Sequence, residues 1–294
     1  MKLGFIGFGG AAYGLSKGLT DAGMLAISFF DSQAAEGDVG AVIGRRAAEV
    51  GAKGLDHLAA LIDGADIIIS CVTGAAALEV ARQAAELLQP RHLYVDVNTA
   101  APRVMQEVFA AVEESGAGFA DVAMLGAIPA FLHRVPCLAS GNGAELFKSR
   151  LEPYGMDIRV VGDEPGQASA IKLFRSIFMK GILALLLEML SATRRYRVDA
   201  LVLESIATTM EKHDFLETAR LQLAKGVIGA ERMHHEMEAV VQTLKEMGSP
   251  SLMSEATRET LQWCSTLGLD KRFGYEMPEA IEDILEVLGP GPQP

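Results

Sequence analysis

The chain has 294 residues, half of them hydrophobic, which suffices for one large or two ordinary domains with a substantial core. A net charge of −12 argues against nucleic-acid and anionic-membrane partners, so an anionic substrate would need positive charge concentrated locally. The widely spaced Cys71, Cys137 and Cys264 show neither a metal spacing nor a disulfide framework, and buried thiols in a reducing compartment, the cytoplasm, are expected.

The N-terminal apolar run is too short and too glycine-rich for a signal peptide. Lys2-Leu3-Gly4-Phe5-Ile6 reads instead as a first strand, followed at once by Gly7-Phe8-Gly9-Gly10-Ala11-Ala12 and a helix running towards Gly23. A second apolar strand, Leu25 to Phe30, ends on Asp31. Strand, G-x-G-x-x-A, helix, strand and acid in that order form a dinucleotide-binding fingerprint. Gly7 permits the tight turn, Gly9 lets the backbone approach a pyrophosphate, and Ala12 keeps helix and strand close. The free N–H groups at the helix start face the phosphates. Asp31, with Ser32 beside it, is placed to accept hydrogen bonds from the adenosine ribose. Its charge repels a 2′-phosphate, so NAD is expected rather than NADP. Arg45 and Arg46, in a downstream helix, read as a solvated face.

Alternation of strand and helix continues to residue 164. Asp66–Val72 is an apolar run suited to a parallel sheet buried on both faces. Ala75–Leu88 reads as a helix, His92–Val97 as a strand, and Pro102 opens a helix to about Ser115. Further strands are expected at Gly118–Leu125, Pro136–Ser140 and Asp157–Val161. This is an α/β fold, a Rossmann-type doubly wound sheet with extra strands. The strand ends Val72-Thr73-Gly74, Asn98-Thr99 and Met124-Leu125-Gly126-Ala127 share the sheet edge where ligands lie, although each also suits a plain strand-to-helix turn.

After Gly162-Asp163-Glu164-Pro165 the chain reads as all-helical. One helix of roughly 30 residues, about 45 Å long, runs from Gln167 to about Arg197 and enters an all-α domain over 165–289. Its most apolar stretch, Gly181–Leu190, is interrupted by Glu188 and falls short of a membrane span. Further helices are expected at 200–212, 215–227, 230–247, 251–266 and 278–288, with a disordered tail over 290–294. So long and apolar a helix suggests burial between domains or subunits, hence a homodimer. Lys172, Arg175, Ser176 and Lys180 share one face of it. That face is either a solvated stripe or the lining of a polar cleft. Surrounded by Ile171, Leu173, Phe174, Ile177 and Phe178, Lys172 would lose its proton more easily than a free lysine and could serve as a general acid/base.

On these motifs the chain resembles the β-hydroxyacid dehydrogenase superfamily, which includes 6-phosphogluconate and 3-hydroxyisobutyrate dehydrogenases. The family motif D-x-S-T-x-x-P corresponds to Asp96-Val97-Asn98-Thr99-Ala100-Ala101-Pro102, with Asn98 in the serine position. Its D-A-P-V-S-G-G loop corresponds to Asp121 through Ala127, with Leu125 in the serine position. Its catalytic G-x-x-x-K-x-x-N-N corresponds to Gly166 through Lys172 to Arg175-Ser176, two residues longer before the lysine. The second half, with Met179-Lys180-Gly181-Ile182-Leu183 and Arg232 to Met237, looks like a branch with its own helical domain. The resemblance implies reversible hydride transfer between NAD and a small, anionic β-hydroxyacid-like alcohol. Lys172 and Ser176 would carry the proton chemistry. Gly7 to Ala12, Asp31, Ser32, Val72, Thr73, Asn98 and Thr99 would hold the cofactor. Leu125, Gly126 and Arg175 would contact substrate, Arg175 offering a bidentate clamp in place of the missing contacts. His234 and His235 read as an exposed or capping pair without metal spacing, with His235 the candidate substrate contact from the helical domain. An imine or ketone reductase and a non-catalytic NAD sensor are the alternatives.

Overall fold

The computed structural model describes residues 1–288. The expected tail therefore lies outside the described residues. The chain separates into two compact units, Met1–Ile177 and Phe178 onward.

In the first unit, β1 (Leu3–Ile6), α1 (Gly10–Asp21), β2 (Ile27–Phe30), α2 (Gly37–Val50) and the two-residue β3 (Lys53–Gly54) make the opening half. Then follow α3 (Leu58–Gly64), β4 (Ile67–Ser70), α4 (Ala77–Ala85), β5 (Leu93–Asp96), α5 (Pro102–Glu113) and β6 (Gly118–Met124). The short α6 (Ile128–Phe131) leads to β7 (Cys137–Ser140), α7 (Ala144–Leu151) and β8 (Ile158–Gly162). The sheet order is β3-β2-β1-β4-β5-β6-β7-β8. All neighbours pair in parallel except β6 and β7. The order reverses between β1 and β4, which opens a crevice at the carboxyl ends of these strands.

Period-two alternation sorts the side chains of each strand to opposite faces. Ile67 and Ile69 face a layer containing Leu15, Leu19, Ile43 and Phe147. Ile68 faces Leu61, Ala81, Met105 and Val108. β1, β4 and β5 are buried throughout, which explains their nearly uninterrupted apolar sequences. The three cysteines are free thiols.

The helix α8 (Gln167–Tyr196) spans 30 residues. Its first turns belong with the sheet, so the units divide inside this helix and not at the expected change of composition near residue 164. The second unit continues with α9 (Asp199–Met210), α10 (Phe215–Glu246), α11 (Leu252–Thr266), the short α12 (Leu269–Arg272) and α13 (Ile281–Leu288). The two helices expected over 215–247 are one 32-residue helix. Gly226 and Gly229 do not break it. Each costs about 1 kcal/mol relative to alanine, and packing of Ala224, Val227 and Ala230 into the core offsets that cost. The buried Glu188 carboxylate caps α11, accepting from the Met253 N–H at 2.8 Å, the Ser254 N–H at 2.9 Å and the Ser254 hydroxyl at 2.6 Å. The acid that interrupts the most apolar stretch of α8 is thus a helix cap. Among the described residues no helix is long and apolar enough to cross a membrane.

Candidate active site

The glycine turn sits between β1 and α1 at the crevice. Gly7 has φ +85°, and a Cβ there would lie 2.6 Å from the Cys71 carbonyl oxygen, so no other residue fits. Above Gly9 and Gly10 the space is open. The first N–H groups of α1 lack intrahelical partners, and this open cradle suits a pyrophosphate. Phe8 and Ala12 turn inward: both are fully buried, Phe8 stacking on Phe29 with ring centroids 4.2 Å apart. Asp31 already has backbone partners. Its Oδ2 accepts the Phe8 N–H at 2.7 Å and its Oδ1 accepts the Gln33 N–H at 2.9 Å, so the acid at the end of β2 also fixes the turn.

A cleft of about 940 Å³ runs along this sheet edge. Gly7, Gly9, Gly10, Ala11, Asp31 and Ser32 line one end. Val72 lies beside Gly7, and Thr73, Asn98, Thr99, Gly126 and Lys172 complete the lining, with Met124, Ile128 and Pro129 adding apolar surface. Arg46 is engaged elsewhere, its guanidinium 5.6 Å from the centre of the Tyr13 ring. Cys71 also faces the cleft, but burial pushes its thiol up to about 12, so it stays protonated and is no nucleophile.

Lys172 donates from Nζ to Thr99 Oγ1 at 2.9 Å, which joins α8 to the end of β5. Asn98 lines the cleft, but its amide is fully engaged: Oδ1 accepts the Val72 N–H at 2.6 Å, and Nδ2 donates to Ser70 Oγ and Asp96 Oδ2, both at 2.9 Å. It positions the strand ends that carry Thr73 and Thr99. The start of α8 is anchored by residues that sequence reasoning missed. Ser169 donates its N–H at 3.0 Å and its hydroxyl at 2.6 Å to Asp121, while the Ala168 N–H reaches Ser140 Oγ at 3.1 Å. Ser140 in turn donates to Asp121 at 3.3 Å. Asp121 and Ser140 are register partners on β6 and β7; the family loop motif marked Asp121, as did its place in an otherwise apolar strand, but neither signal pointed to α8.

The remaining expected residues of the first unit do not line this cleft. Arg175 is exposed, and Ser176 donates to the Lys172 carbonyl at 3.0 Å, one helical turn back. Leu125 is half-buried, with its N–H given to the Pro136 carbonyl at 2.8 Å. His235 is in the second unit, against Glu238. The apolar residues around Lys172 do not form a closed collar within one chain: Phe174 is 62% and Ile177 73% exposed.

Asp96 and Asp121 are buried carboxyls on the neighbouring strands β5 and β6. Burial pushes both carboxyls up, Asp96 to about 7, with Asn98's donors opposing and the charge of Asp121 adding to the rise. A raised folded-state pKa gives stability that is complete below the ordinary carboxylate range and is lost as pH rises through about 7. Buried His92 and His133, held below their ordinary value, give the opposite slope over part of that range. The difference between wild type and Asp96→Asn isolates the carboxyl. The wild-type melting temperature should fall relative to the variant between about pH 4 and pH 8, and a pH-independent difference would refute the assignment.

Comparisons with known proteins identify the family. Residues 2–160 match the family described as the NAD binding domain of 6-phosphogluconate dehydrogenase, and residues 192–264 match a domain of unknown function, DUF1932. A conserved hypothetical protein from Sinorhizobium meliloti is 32% identical, covering 89% of this chain and 87% of that one, with a TM-score of 0.63. The conserved protein MTH1747, described as structurally similar to 3-hydroxyacid dehydrogenases, is also 32% identical over 90% of this chain and 98% of its own, with a TM-score of 0.62. The chain belongs to the β-hydroxyacid dehydrogenase superfamily. It pairs that superfamily's NAD-binding domain with a helical C-terminal domain. The fold is shared more widely. An imine reductase variant from Myxococcus stipitatus solved with NAD+ has a TM-score of 0.74 at 19% identity, over 91% of this chain and 94% of that one. A reductive aminase from Aspergillus terreus solved with NADPH has 0.72 at 18%, over 93% and 98%.

Proposed function

We propose that the protein is an NAD-dependent dehydrogenase acting on a small, anionic β-hydroxyacid-like alcohol, with Lys172 as the general acid/base. The observation that carries this reading is the convergence of Lys172 and Thr99 on the cleft that begins at the glycine turn. When bound there, the nicotinamide takes or gives the hydride. Lys172 Nζ takes the substrate hydroxyl proton as the C–H electron pair departs, and returns it in the reverse direction. Thr99 holds the lysine at the strand end. Met124, Ile128 and Pro129 keep one side of the reacting carbon apolar, and Gly126 leaves room for close approach. Asp31 favours NAD: a carboxylate at the end of β2 would repel a 2′-phosphate, and no arginine lines the cleft among the described residues.

The active form is a homodimer in this reading. Ile177, Leu187, Leu201 and Leu216 are 73%, 64%, 65% and 75% exposed, and a second copy is the occupant that would bury them. Sedimentation should give a dimer, and Ile177→Asp should shift it towards monomer. The free thiols suit the cytoplasm.

The decisive assay incubates the protein with NAD+ and a panel of hydroxyacids, and with NADH and matching carbonyls or imines, following absorbance of the reduced cofactor. Turnover of hydroxyacids with NAD+ supports the proposal. Turnover confined to imines or ketones would make it a reductase, and tight NADH binding without turnover would make it a sensor. Equal affinity for NADPH would overturn the role of Asp31.

A further inference from the structure

On α10, in the helical unit, two neighbouring histidines and a carboxylate meet on one stretch of helix surface. His234 Nδ1 lies 3.1 Å from the Arg258 carbonyl oxygen on α11. A carbonyl only accepts, so Nδ1 carries the hydrogen, and in the neutral ring Nε2 holds the lone pair. That Nε2 lies 3.6 Å from Glu238 Oε1. His235 approaches the same carboxylate from the other side, with Nδ1 2.9 Å from Glu238 Oε2. The imidazole centroids are 5.3 Å apart. One ligand atom from each residue falls within 4.8 Å of the others. A neutral imidazole lone pair facing a carboxylate calls for a bridging proton or a cation between them.

We propose that His234, His235 and Glu238 form a binding site for a divalent transition-metal ion of the zinc class. Two imidazole nitrogens and one carboxylate are the donor set such ions take. The hydrogen bond from His234 to a backbone carbonyl is the outer contact that fixes the tautomer of a metal-bound histidine. The spacing serves as well: Glu238 lies four residues after His234 and three after His235, so its carboxylate reaches both rings. Neighbouring charges are already paired: Arg232 with Glu236, and Arg258 with Glu259 at 3.4 Å. His235 and Glu238 are exposed and free to contract onto an ion, whereas His234 is held. Three protein ligands leave a further position for water or a small anion. Through His234 the ion would also tie this turn of α10 to α11.

The test uses the untagged full chain, stripped with chelator and titrated with zinc chloride in equilibrium dialysis. One zinc per chain is expected. His234→Ala and Glu238→Gln should each weaken binding by more than the roughly 10–100-fold that loss of an outer contact costs. His57→Ala, an exposed histidine of the first unit, should leave it unchanged. Zinc at about a hundredfold above Kd should raise the melting temperature by about 5 °C, and that rise should be absent in Glu238→Gln. Cobalt should give visible absorption bands that the same variants lose. If His234→Ala fails to fold, His235→Ala and Glu238→Gln decide the question alone. No stoichiometric zinc, or binding undiminished in these variants, overturns the proposal.

Discussion

Lys172→Ala should lower turnover about 10²–10⁴-fold while changing NAD(H) affinity little. The two readouts separate because the residues concerned come from different elements. In the proposed reading Asp31, Gly9 and Gly10 hold the dinucleotide, whereas Lys172 enters the cleft from α8 and touches Thr99. In the proposed mechanism, removing the amine takes away the group that accepts the hydroxyl proton and leaves the cradle at α1 intact. Initial rates and a titration of the cofactor's fluorescence measure the two quantities on the same sample. Thr99→Val should show a smaller loss of the same kind, since the lysine would remain but lose the hydroxyl that fixes it. Full activity in Lys172→Ala would remove the lysine from the mechanism.

Asp121→Ala should destabilise the protein by about 3 kcal/mol and lower turnover on the order of ten- to a hundredfold. The Asp121 carboxylate accepts the N–H and hydroxyl of Ser169 and the hydroxyl of Ser140, and is fully buried. Without it, donors at the start of α8 are left in a dry environment, and each unsatisfied group costs about 1–3 kcal/mol. The same change loosens the turn of α8 that immediately precedes Lys172. Asp121 touches neither cofactor nor substrate, so it is a positioning residue. Its loss should appear in kcat more than in KM for the cofactor. Asp121→Asn should cost less: it keeps one acceptor oxygen, and burial already favours the uncharged form of this side chain. Denaturant titration gives the stability change, and steady-state kinetics gives the split. A fully active Asp121→Ala with normal stability would show that the anchor does not matter.

Much of the first unit was legible because its signals are local. The apolar runs Ile67–Ser70 and Leu93–Asp96 are buried on both faces of a parallel sheet and carry no alternation to confuse with a helix. Gly7 needs a positive φ and a missing Cβ, and that demand is written in one residue. The two-residue β3 left no such trace, since Lys53 and Gly54 pair with β2 by register alone. The second unit was less legible. The helices expected at 215–227 and 230–247 are one, because burial of a long amphipathic face of α10 against α11 outweighs the intrinsic cost of Gly226 and Gly229.

The sequence by itself determined the doubly wound sheet, the glycine turn followed by Asp31, and the long helix, and through family resemblance it singled out Lys172 as a candidate. Local periodicity, glycine conformation and fixed motif spacing encode these features within a few residues of one another. Only the tertiary structure decided what those residues do to each other. Asp31 holds the Phe8 N–H, Asn98 is fully engaged in positioning strand ends, Asp121 and Ser140 anchor α8, and Glu188 caps α11. Each of these depends on a hydrogen bond between segments far apart in the chain. Strand register and helix packing set which donors meet which acceptors, and no local pattern records that choice.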